Sequence, residues 1–312
     1  IYKKPLYITE TGLFLSIDDE SIDVKDKNVI KTFPLRRINS IVIEGVTTFS
    51  TALIKKAVQF NIPISISLKS GYSSIHIAPN LREFYNSITE HNNAYNNLED
   101  YEKLKIAKDI VNAKIESYIT LYKQMIRLES KDKIDFLKEI KEKLYRSKTL
   151  DEVRGYEGKA SKTIFSLLSD YTNVDEFKIT IRDRFQKDYI NTLLNFGYYL
   201  LFVRINLLIR SFNLNPYLGF LHYSTDEYEQ FVCDIQEIFR ARIDRIILNF
   251  INLKMINPTD FIDEGGRYLL SSTAKKKFIK QYENEMNTKH YGDLTLEDAI
   301  EKQVEYFRNF FK

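Results

Sequence analysis

Cysteine, glycine and histidine are scarce in this chain of 312 residues, and tryptophan is absent. The single cysteine, Cys233, cannot form a disulfide within the chain, which favours a reducing compartment, and its apolar neighbours indicate a buried, unreactive thiol. The low glycine count of 10 is typical of long uninterrupted helices. No stretch approaches the roughly 18 apolar residues of a membrane span, and the N-terminal residues lack a signal-peptide pattern. These absences predict a cytoplasmic globular protein with no membrane partner.

A large excess of one charge is also missing, because 46 basic and 43 acidic residues leave a net charge of only +3. This balance is too mild to indicate nucleic-acid binding by itself, so any DNA affinity must come from local clusters of basic residues. A hydrophobic fraction of 44% suffices for one large domain or two ordinary ones without disulfides or a structural metal. Composition therefore leaves the function open.

The hydrophobic pattern changes once along the chain, near residues 80–90. Before that point, short β-branched and aromatic runs such as LYITETG and SIVIEG are separated by turn residues and predict strands. One helix is expected among them, from Ser50 to Asn61, with Ser50 as its N-cap.

From about Glu83 onward the spacing of apolar residues is helical. The predicted helices cover 99–128, 133–146, 149–170, 188–213, about thirty residues from Ser224 or Thr225, 273–286, and 296–311 with Thr295 as its cap. The predicted fold class is therefore α+β. A small N-terminal β-rich domain (residues 1–84) is followed by a larger all-α C-terminal domain (residues 85–312).

Among the four histidines, His222 has the most informative position. The residues before it, NLNPYLGFL, break the preceding helix and place His222 on a connector between two long helices. His76 falls on a predicted strand, whereas His91 and His290 fall in polar connectors, where surface positions are expected. His222 is therefore the histidine to consider for chemistry.

Two carboxylates follow on the next predicted helix. Asp234 and Glu237 are three positions apart and share one face, beside an apolar stripe that must pack inward. Both can be ionised there only if a cation is close, whether a metal ion, an arginine or a lysine. One imidazole with carboxylates suits Mn²⁺ or Mg²⁺. The alternative interpretation is a solvated helix face with surface ion pairs.

A third carboxylate, Glu157, lies between Gly155 and Gly158 in an otherwise helical stretch. Glycines at these positions allow another backbone or a ligand to approach closely. Alternatively, a helix begins here and Glu157 lies in its first turn, where the helix dipole favours a negative charge. The spacing alone leaves both interpretations open.

Taken together, three segments resemble the signature blocks of the CRISPR-associated protein one family. They are RGYEG at 154–158, NPYLGFLH at 215–222 and DIQEIFRARIDR at 234–245. LKIAKDIVNAKI, TIRDRF and NTLLNFGYYLL are similar to further family segments, so the resemblance covers nearly the whole chain. It implies that the N-terminal domain makes dimer and partner contacts and that the C-terminal domain carries the active site.

The function that this resemblance implies is a metal-dependent DNA integrase and endonuclease of CRISPR adaptation, which serves antiviral defence. Such an enzyme joins the 3′-hydroxyl ends of prespacer DNA to the repeat array by transesterification. It is a homodimer and assembles with CRISPR-associated protein two. Two alternatives stay open: a metal-dependent nuclease acting on branched or nicked DNA, and a DNA-binding scaffold without activity.

Carried over position by position, the family's metal ligands fall on Glu157, His222 and Glu237, which would bind Mg²⁺ or Mn²⁺. Asp234 matches a further acidic position counted with the catalytic residues. Glutamate stands at position 237 where several relatives carry aspartate, and the segment KIESYI lacks the Asn-Gln pair of many relatives.

Basic residues near these blocks are predicted to contact DNA phosphates, which positions DNA without reading its sequence. They are Arg182, Arg184, Arg240, Arg242 and Arg245. For Arg242 or Arg245, the alternative is an ion pair with Asp244 or another acid.

Overall fold

The computed structural model divides the chain into two compact units. One unit consists of Ile1–His91 and Asn206–Asn215, and the other of Asn92–Ile205 and Pro216–Lys312. The described residues are 3–27, 29–67, 74–77, 81–125, 130–185, 187–222 and 228–311. The predicted domain boundary after residue 84 falls inside a helix, Leu81–Asn97, and the assignment of the domains stays a prediction.

Two four-stranded sheets form most of the first unit. One sheet has three parallel strands and an antiparallel edge strand, in the order β1 (Lys4–Ile8), β5 (Ile38–Ile43), β7 (Ile64–Ser67) and β8 (Ser74–Ile77). The other has antiparallel pairs and one short parallel pair, in the order β4 (Val29–Pro34), β3 (Ser21–Asp26), β2 (Phe14–Asp18) and β6 (Thr48–Phe49). Aliphatic side chains from both sheets share one core, and this burial stabilises the unit.

The first helix, α1 (Thr51–Gln59), begins where the sequence predicts it. The Ser50 side chain accepts a hydrogen bond from the backbone N–H of Leu53 and so caps the helix. Leu53 and Ala57 are buried, and Phe60 packs against the same core. The predicted cap and apolar face are both confirmed.

After the first sheets the chain is largely helical, as predicted. The helices are α2 (Leu81–Asn97), α3 (Asp100–Met125), α4 (Lys131–Leu144), α5 (Leu150–Tyr171), α6 (Tyr189–Ser211), α7 (Gln230–Asn252), α8 (Ser272–Met286) and α9 (Leu296–Phe310). Helix α3 packs against α4, α5 and α7, so it lies at the centre of the second unit.

Helix α6 is apolar on almost all sides. Within the described part of the chain, it alone is long and apolar enough to cross a membrane by length and composition. However, 89% of its most apolar window is buried inside the protein. A helix that is apolar all round and covered in this way is typical of a protein core.

Helix α7 is buried along most of its length. Its apolar stripe packs inward as predicted, with Ile235, Phe239, Ile243, Ile246 and Phe250 all buried. The helix begins at Gln230, later than expected, and the two predicted cap residues, Ser224 and Thr225, lie outside the described residues. Cys233 is buried as predicted, and burial raises the pKa of its thiol to about 12, which makes it unreactive.

Two short antiparallel hairpins interrupt the helical unit, so it is not all-α as expected. They pair β9 (Phe261–Asp263) with β10 (Tyr268–Leu270), and β11 (Lys289–Tyr291) with β12 (Leu294–Thr295). Helix α9 then begins at the predicted cap, Thr295, which forms a capping box with Asp298.

The surface positions expected for His91 and His290 are wrong. His91 lies on α2 and is buried, and its Nδ1 accepts a hydrogen bond from the backbone N–H of Asn215. The His290 side chain is only 9% exposed, and its Nε2 lies 2.8 Å from Oε1 of Glu285. The partner of His91 is distant in sequence, and Nδ1 of His290 lies 3.3 Å from Nη1 of the equally distant Arg242, so local polarity cannot reveal either contact.

Candidate metal centre

The residues expected at the site come from three elements of the second unit. Glu157 lies on α5, Glu237 lies on α7, and His222 lies on the connector that precedes α7. Helix α3 packs against both α5 and α7. Glu157 lies well inside α5, whose first turn carries Asp151 and Glu152 instead, so the first-turn alternative for Glu157 is wrong.

Lys114 of α3 brings Glu157 and Glu237 together. Its Nζ lies 2.5 Å from Oε1 of Glu157 and 2.7 Å from Oε2 of Glu237. The third partner is the Oγ of Ser161, at 2.8 Å, and this hydroxyl also donates to Oε1 of Glu157. The Lys114 side chain is 3% exposed. A buried ammonium ion with three oxygen partners therefore lies between the two expected metal ligands.

Sequence reasoning missed Lys114, although a signal for it exists. Lys114 lies on the buried face of α3, which also carries Ala107, Ile110, Val111 and Tyr118 at helical spacing. A lysine on such a face is almost never fully buried unless it is paired with an acid. The apolar spacing that predicted this helix therefore also places Lys114 on its buried face, where a lysine needs an acidic partner.

Asp234 fixes the connector that carries His222. Its Oδ2 accepts the backbone N–H groups of Phe220 at 2.5 Å and Leu221 at 3.0 Å. Its Oδ1 accepts the N–H of His222 at 3.0 Å and lies 2.7 Å from Nδ1 of the same residue. The carboxylate is fully buried. Asp234 therefore positions His222, and its place among the catalytic residues stays a prediction.

The other ring nitrogen of His222 faces α7. Its Nε2 lies 3.8 Å from Oε1 of Glu237. A histidine whose Nδ1 is held by a carboxylate keeps its Nε2 lone pair for a metal ion, an arrangement that is common around protein-bound metals. His222 is 29% exposed and Glu157 is 25% exposed, whereas Glu237 is 1% exposed. The site is therefore open on the side of His222 and Glu157.

The described part of the connector, up to His222, is fixed by close contacts. A Cβ atom at Gly219 would lie 2.5 Å from the backbone oxygen of His222 and 2.8 Å from Cβ of Gln230, so only glycine fits there. The Nε of Arg154 donates to the backbone oxygen of Leu221 at 2.9 Å, and the hydroxyl of Tyr95 donates to that of Gly219 at 2.6 Å. These contacts hold His222 in one position.

The positive charges of Lys114 and Arg240 keep the carboxylates of Glu157 and Glu237 ionised. Burial disfavours ionised Glu237, but the charges of Arg240 and Lys114 outweigh it and lower the pKa of Glu237 to about 2. Burial also opposes ionised Glu157, and the charge of Lys114 nevertheless lowers the pKa of Glu157. For His222, burial disfavours the imidazolium, yet its hydrogen bond to Asp234 raises the pKa.

A search for related families gives a direct match. The family model described as CRISPR associated protein Cas1 matches residues 6–284. The chain belongs to the Cas1 family. The resemblance of the three sequence blocks is thereby confirmed.

Curated members of the Cas1 family are similar along most of their length. The chain is 28% identical over 258 residues to the CRISPR-associated endonuclease Cas1 of Thermotoga maritima, covering 81% of this chain and 78% of the relative. It is 27% identical over 313 residues to a CRISPR-associated endonuclease Cas1 of Methanospirillum hungatei, covering 97% and 86%.

Solved structures share the fold. A Cas1 protein from Thermotoga maritima matches with a TM-score of 0.85 at 23% identity, over 99% of this chain and 97% of the other. A casposase bound to integration product matches with a TM-score of 0.81 at 22% identity, over 98% and 91%. A chain of a Cas6-RT-Cas1–Cas2 complex matches with a TM-score of 0.84 at 20% identity, over 99% of this chain and 35% of that one. The α+β architecture is that of Cas1 proteins.

Two of the arginines predicted to contact DNA make close contacts within the chain. Arg240 Nη1 lies 2.7 Å from Oε1 of Glu237, and its guanidinium lies 4.8 Å from the centre of the Tyr198 ring. Arg182 donates to Oδ1 of Asn191 and of Asn195, at 2.9 and 2.6 Å. Their contact with phosphate stays a prediction.

Among the remaining arginines, Arg184 is exposed, whereas Arg242 and Arg245 are half-buried, as Arg182 and Arg240 are. Asp244 does not take the arginine partner suggested for it, because its carboxylate accepts hydrogen bonds from Tyr118 at 2.8 Å and Tyr198 at 2.6 Å. The acid near Arg242 and Arg245 is Glu285: burial raises its pKa and the two arginine charges oppose that shift.

The side chains of Glu157, His222 and Glu237 carry suitable donor atoms for a divalent ion, but they are not spaced to hold one. Over the described residues, no group of three or more His, Cys, Asp or Glu side chains is spaced to hold a metal ion, and Lys114 separates the two glutamates. However, Oε2 of Glu237 is buried, and its partner within the described part of the chain is the ammonium group of Lys114 at 2.7 Å, a cation in the place where a metal ion would be accepted. Carboxylate oxygens with one imidazole are also the donors that Mg²⁺ and Mn²⁺ accept.

Proposed function

We propose that this Cas1-family chain is a metal-dependent DNA integrase and endonuclease of CRISPR adaptation. It would join the 3′-hydroxyl ends of prespacer DNA to the repeat array. The observation that carries the proposal is that Glu157 and Glu237 converge on the buried ammonium group of Lys114. Nε2 of His222 faces the carboxylate of Glu237. Family membership and the endonuclease names of curated relatives support it.

Glu157, His222 and Glu237 would hold Mg²⁺ or Mn²⁺. A divalent ion bound there would lower the pKa of the attacking hydroxyl and neutralise the charge that builds on the phosphate. Asp234 keeps the ring of His222 oriented through Nδ1, and Arg240 keeps the carboxylate of Glu237 in place through Oε1. The residues that hold the site are thus themselves held by partners, as precise placement requires.

DNA would approach from the open side of the site, where Glu157 and His222 are partly exposed. Arg184 is exposed and is the first candidate for a phosphate contact. The further predicted contacts are Arg182, Arg240, Arg242 and Arg245. Phosphate contacts of this kind position DNA without selecting its sequence. Choice of the insertion point would therefore depend on DNA ends, DNA shape and partners.

The proposed partners are prespacer DNA, the repeat array, a second copy of the chain and a Cas2 protein. Support for DNA and Cas2 comes from similar folds solved in a Cas1–Cas2 complex and bound to integration product. The homodimer, the contacts of residues 1–84 with partners and a cytoplasmic location follow from the family resemblance.

A strand-transfer assay tests the proposal. A labelled duplex with 3′-hydroxyl ends is mixed with a plasmid carrying the repeat array, with Mn²⁺ or Mg²⁺, and with and without Cas2. Wild type is compared with Glu237→Ala and with Glu264→Ala, an exposed control in the loop between β9 and β10. Joined product from wild type and the control, but not from Glu237→Ala, is the expected result.

One other function has specific support, because curated relatives are named endonucleases. The same site would then direct water, not a DNA hydroxyl, at the phosphate. Metal-dependent cleavage of branched or nicked DNA without joining would favour this nuclease. DNA binding with no metal-dependent product would favour a scaffold and contradict the proposal.

A further inference from the structure

We propose that Lys114 holds the place of the divalent ion in the metal-free protein, and that its displacement sets how tightly the ion binds. This inference rests on the proposed function, since it concerns the same site. It assigns a positioning role to a residue outside the predicted ligand set.

The surroundings of Lys114 Nζ support this role. An ammonium group has three N–H donors, and Lys114 has three oxygen partners: Glu157 Oε1 at 2.5 Å, Ser161 Oγ at 2.8 Å and Glu237 Oε2 at 2.7 Å. Two of these oxygens belong to residues expected to ligate the ion. A metal ion that uses both glutamates must compete with the ammonium group for them.

The charges at the site also support this role. Two ionised carboxylates that converge without a cation repel each other, and burial adds a desolvation cost. Arg240 contacts Oε1 of Glu237, whereas Lys114 contacts both Glu157 and Glu237. The lysine therefore allows the glutamates to stay together before any metal ion arrives.

The divalent ion and the ammonium group cannot both occupy the site without repulsion. A divalent ion within a few ångströms of a buried ammonium group is strongly repelled by it. Lysine has a flexible four-carbon stem, so its head group can withdraw while the stem stays packed. Metal binding then replaces the ammonium group of Lys114 with the divalent ion. This displacement lowers the affinity of the site for the metal.

Calorimetric titration of the full chain with Mn²⁺ tests this inference. Lys114→Met removes the competing charge, and Lys114→Gln removes the charge while keeping N–H donors for the glutamates. The matched control is Lys133→Met, because Lys133 pairs with Asp170 at 2.5 Å elsewhere in the second unit. Thermal unfolding of each protein is recorded with and without Mn²⁺.

Both Lys114 variants are expected to bind Mn²⁺ about tenfold or more tightly than wild type. Lys114→Met should have a lower Tm without metal and a larger gain in Tm on adding Mn²⁺, and the Lys133 control should match wild type. A purely structural role predicts lower stability with unchanged or weaker binding. Such a result in Lys114→Gln overturns the inference, even if Lys114→Met does not fold.

The failure of the proposed function has a different outcome. Wild type that binds no Mn²⁺, or Glu237→Gln that binds it as tightly as wild type, contradicts the metal site itself and this inference with it. Binding that requires Glu237 but is not tightened in either Lys114 variant contradicts only the role of Lys114.

Discussion

The carboxylate of Asp234 holds His222 by both its ring and its backbone. Oδ1 lies 2.7 Å from Nδ1 and accepts the backbone N–H of the same residue at 3.0 Å. Because Nδ1 faces an acceptor, the proton of the neutral ring lies there and Nε2 presents its lone pair toward Glu237. The pair thus selects the tautomer that can ligate a metal ion.

Asp234→Asn is expected to weaken Mn²⁺ binding by about 10–100-fold, because the amide cannot orient the ring as a carboxylate does. Strand transfer should fall with it. Calorimetry measures the affinity, and Asp109→Asn, at an exposed position on α3, is the control. Equal Mn²⁺ affinity in Asp234→Asn and wild type would mean that Asp234 has no part in the site.

Gly219→Ala should lower the free energy of unfolding by about 1–3 kcal/mol, because the new Cβ has no space beside His222 and Gln230. Gly155→Ala is the matched comparison, since a Cβ there meets nothing within 4 Å in the middle of α5. Gly155→Ala should raise the free energy of unfolding by about 0.5–1 kcal/mol. Denaturant unfolding measures both, and effects of the same sign would argue against the packing described for the connector.

Asp244 makes stability depend on pH. Burial raises the pKa of this carboxyl from 3.8 to about 6, despite the hydrogen bonds from Tyr198 and Tyr118 and the charges of Arg240 and Arg182. The folded state therefore binds more protons than the unfolded state between about pH 4 and pH 6, so stability falls as pH rises through that window. The shift corresponds to about 3 kcal/mol at most.

Asp244→Asn removes this titration. The fall in the free energy of unfolding between about pH 4 and pH 6 should be smaller in the variant than in wild type. Denaturant unfolding at a series of pH values measures the slope, with the exposed Asp109→Asn as control. A slope that stays the same in Asp244→Asn would show that another group is responsible.

Periodicity along the chain was enough to predict most elements of the fold. The caps Ser50 and Thr295 and the buried stripe of α7 follow from local spacing alone. Helix α2 was not predicted, because its Asn-rich segment has weak apolar spacing, and the two hairpins are too short for strand periodicity to be read. Local patterns predict an element only where one of its faces is clearly apolar.

The site was predictable in part, because the family blocks identify Glu157, His222 and Glu237. The role of Lys114 between two glutamates could not be predicted, since α3, α5 and α7 meet only in the folded unit. Asp234 was placed with the catalytic residues, which stays a prediction, but its hydrogen bonds to the connector could not be read from spacing. The tyrosine partners of Asp244 were also missed, because Tyr118 and Tyr198 lie far away in sequence.

The position of a bound metal ion shows whether Glu157, His222 and Glu237 form one metal site. Crystals soaked in Mn²⁺ would be measured for anomalous scattering near the manganese edge. We expect one strong peak within ligand distance of Glu157, Glu237 and Nε2 of His222, with Lys114 Nζ moved away from both glutamates. A peak elsewhere, or no peak with Lys114 still in place at saturating Mn²⁺, would contradict this assignment.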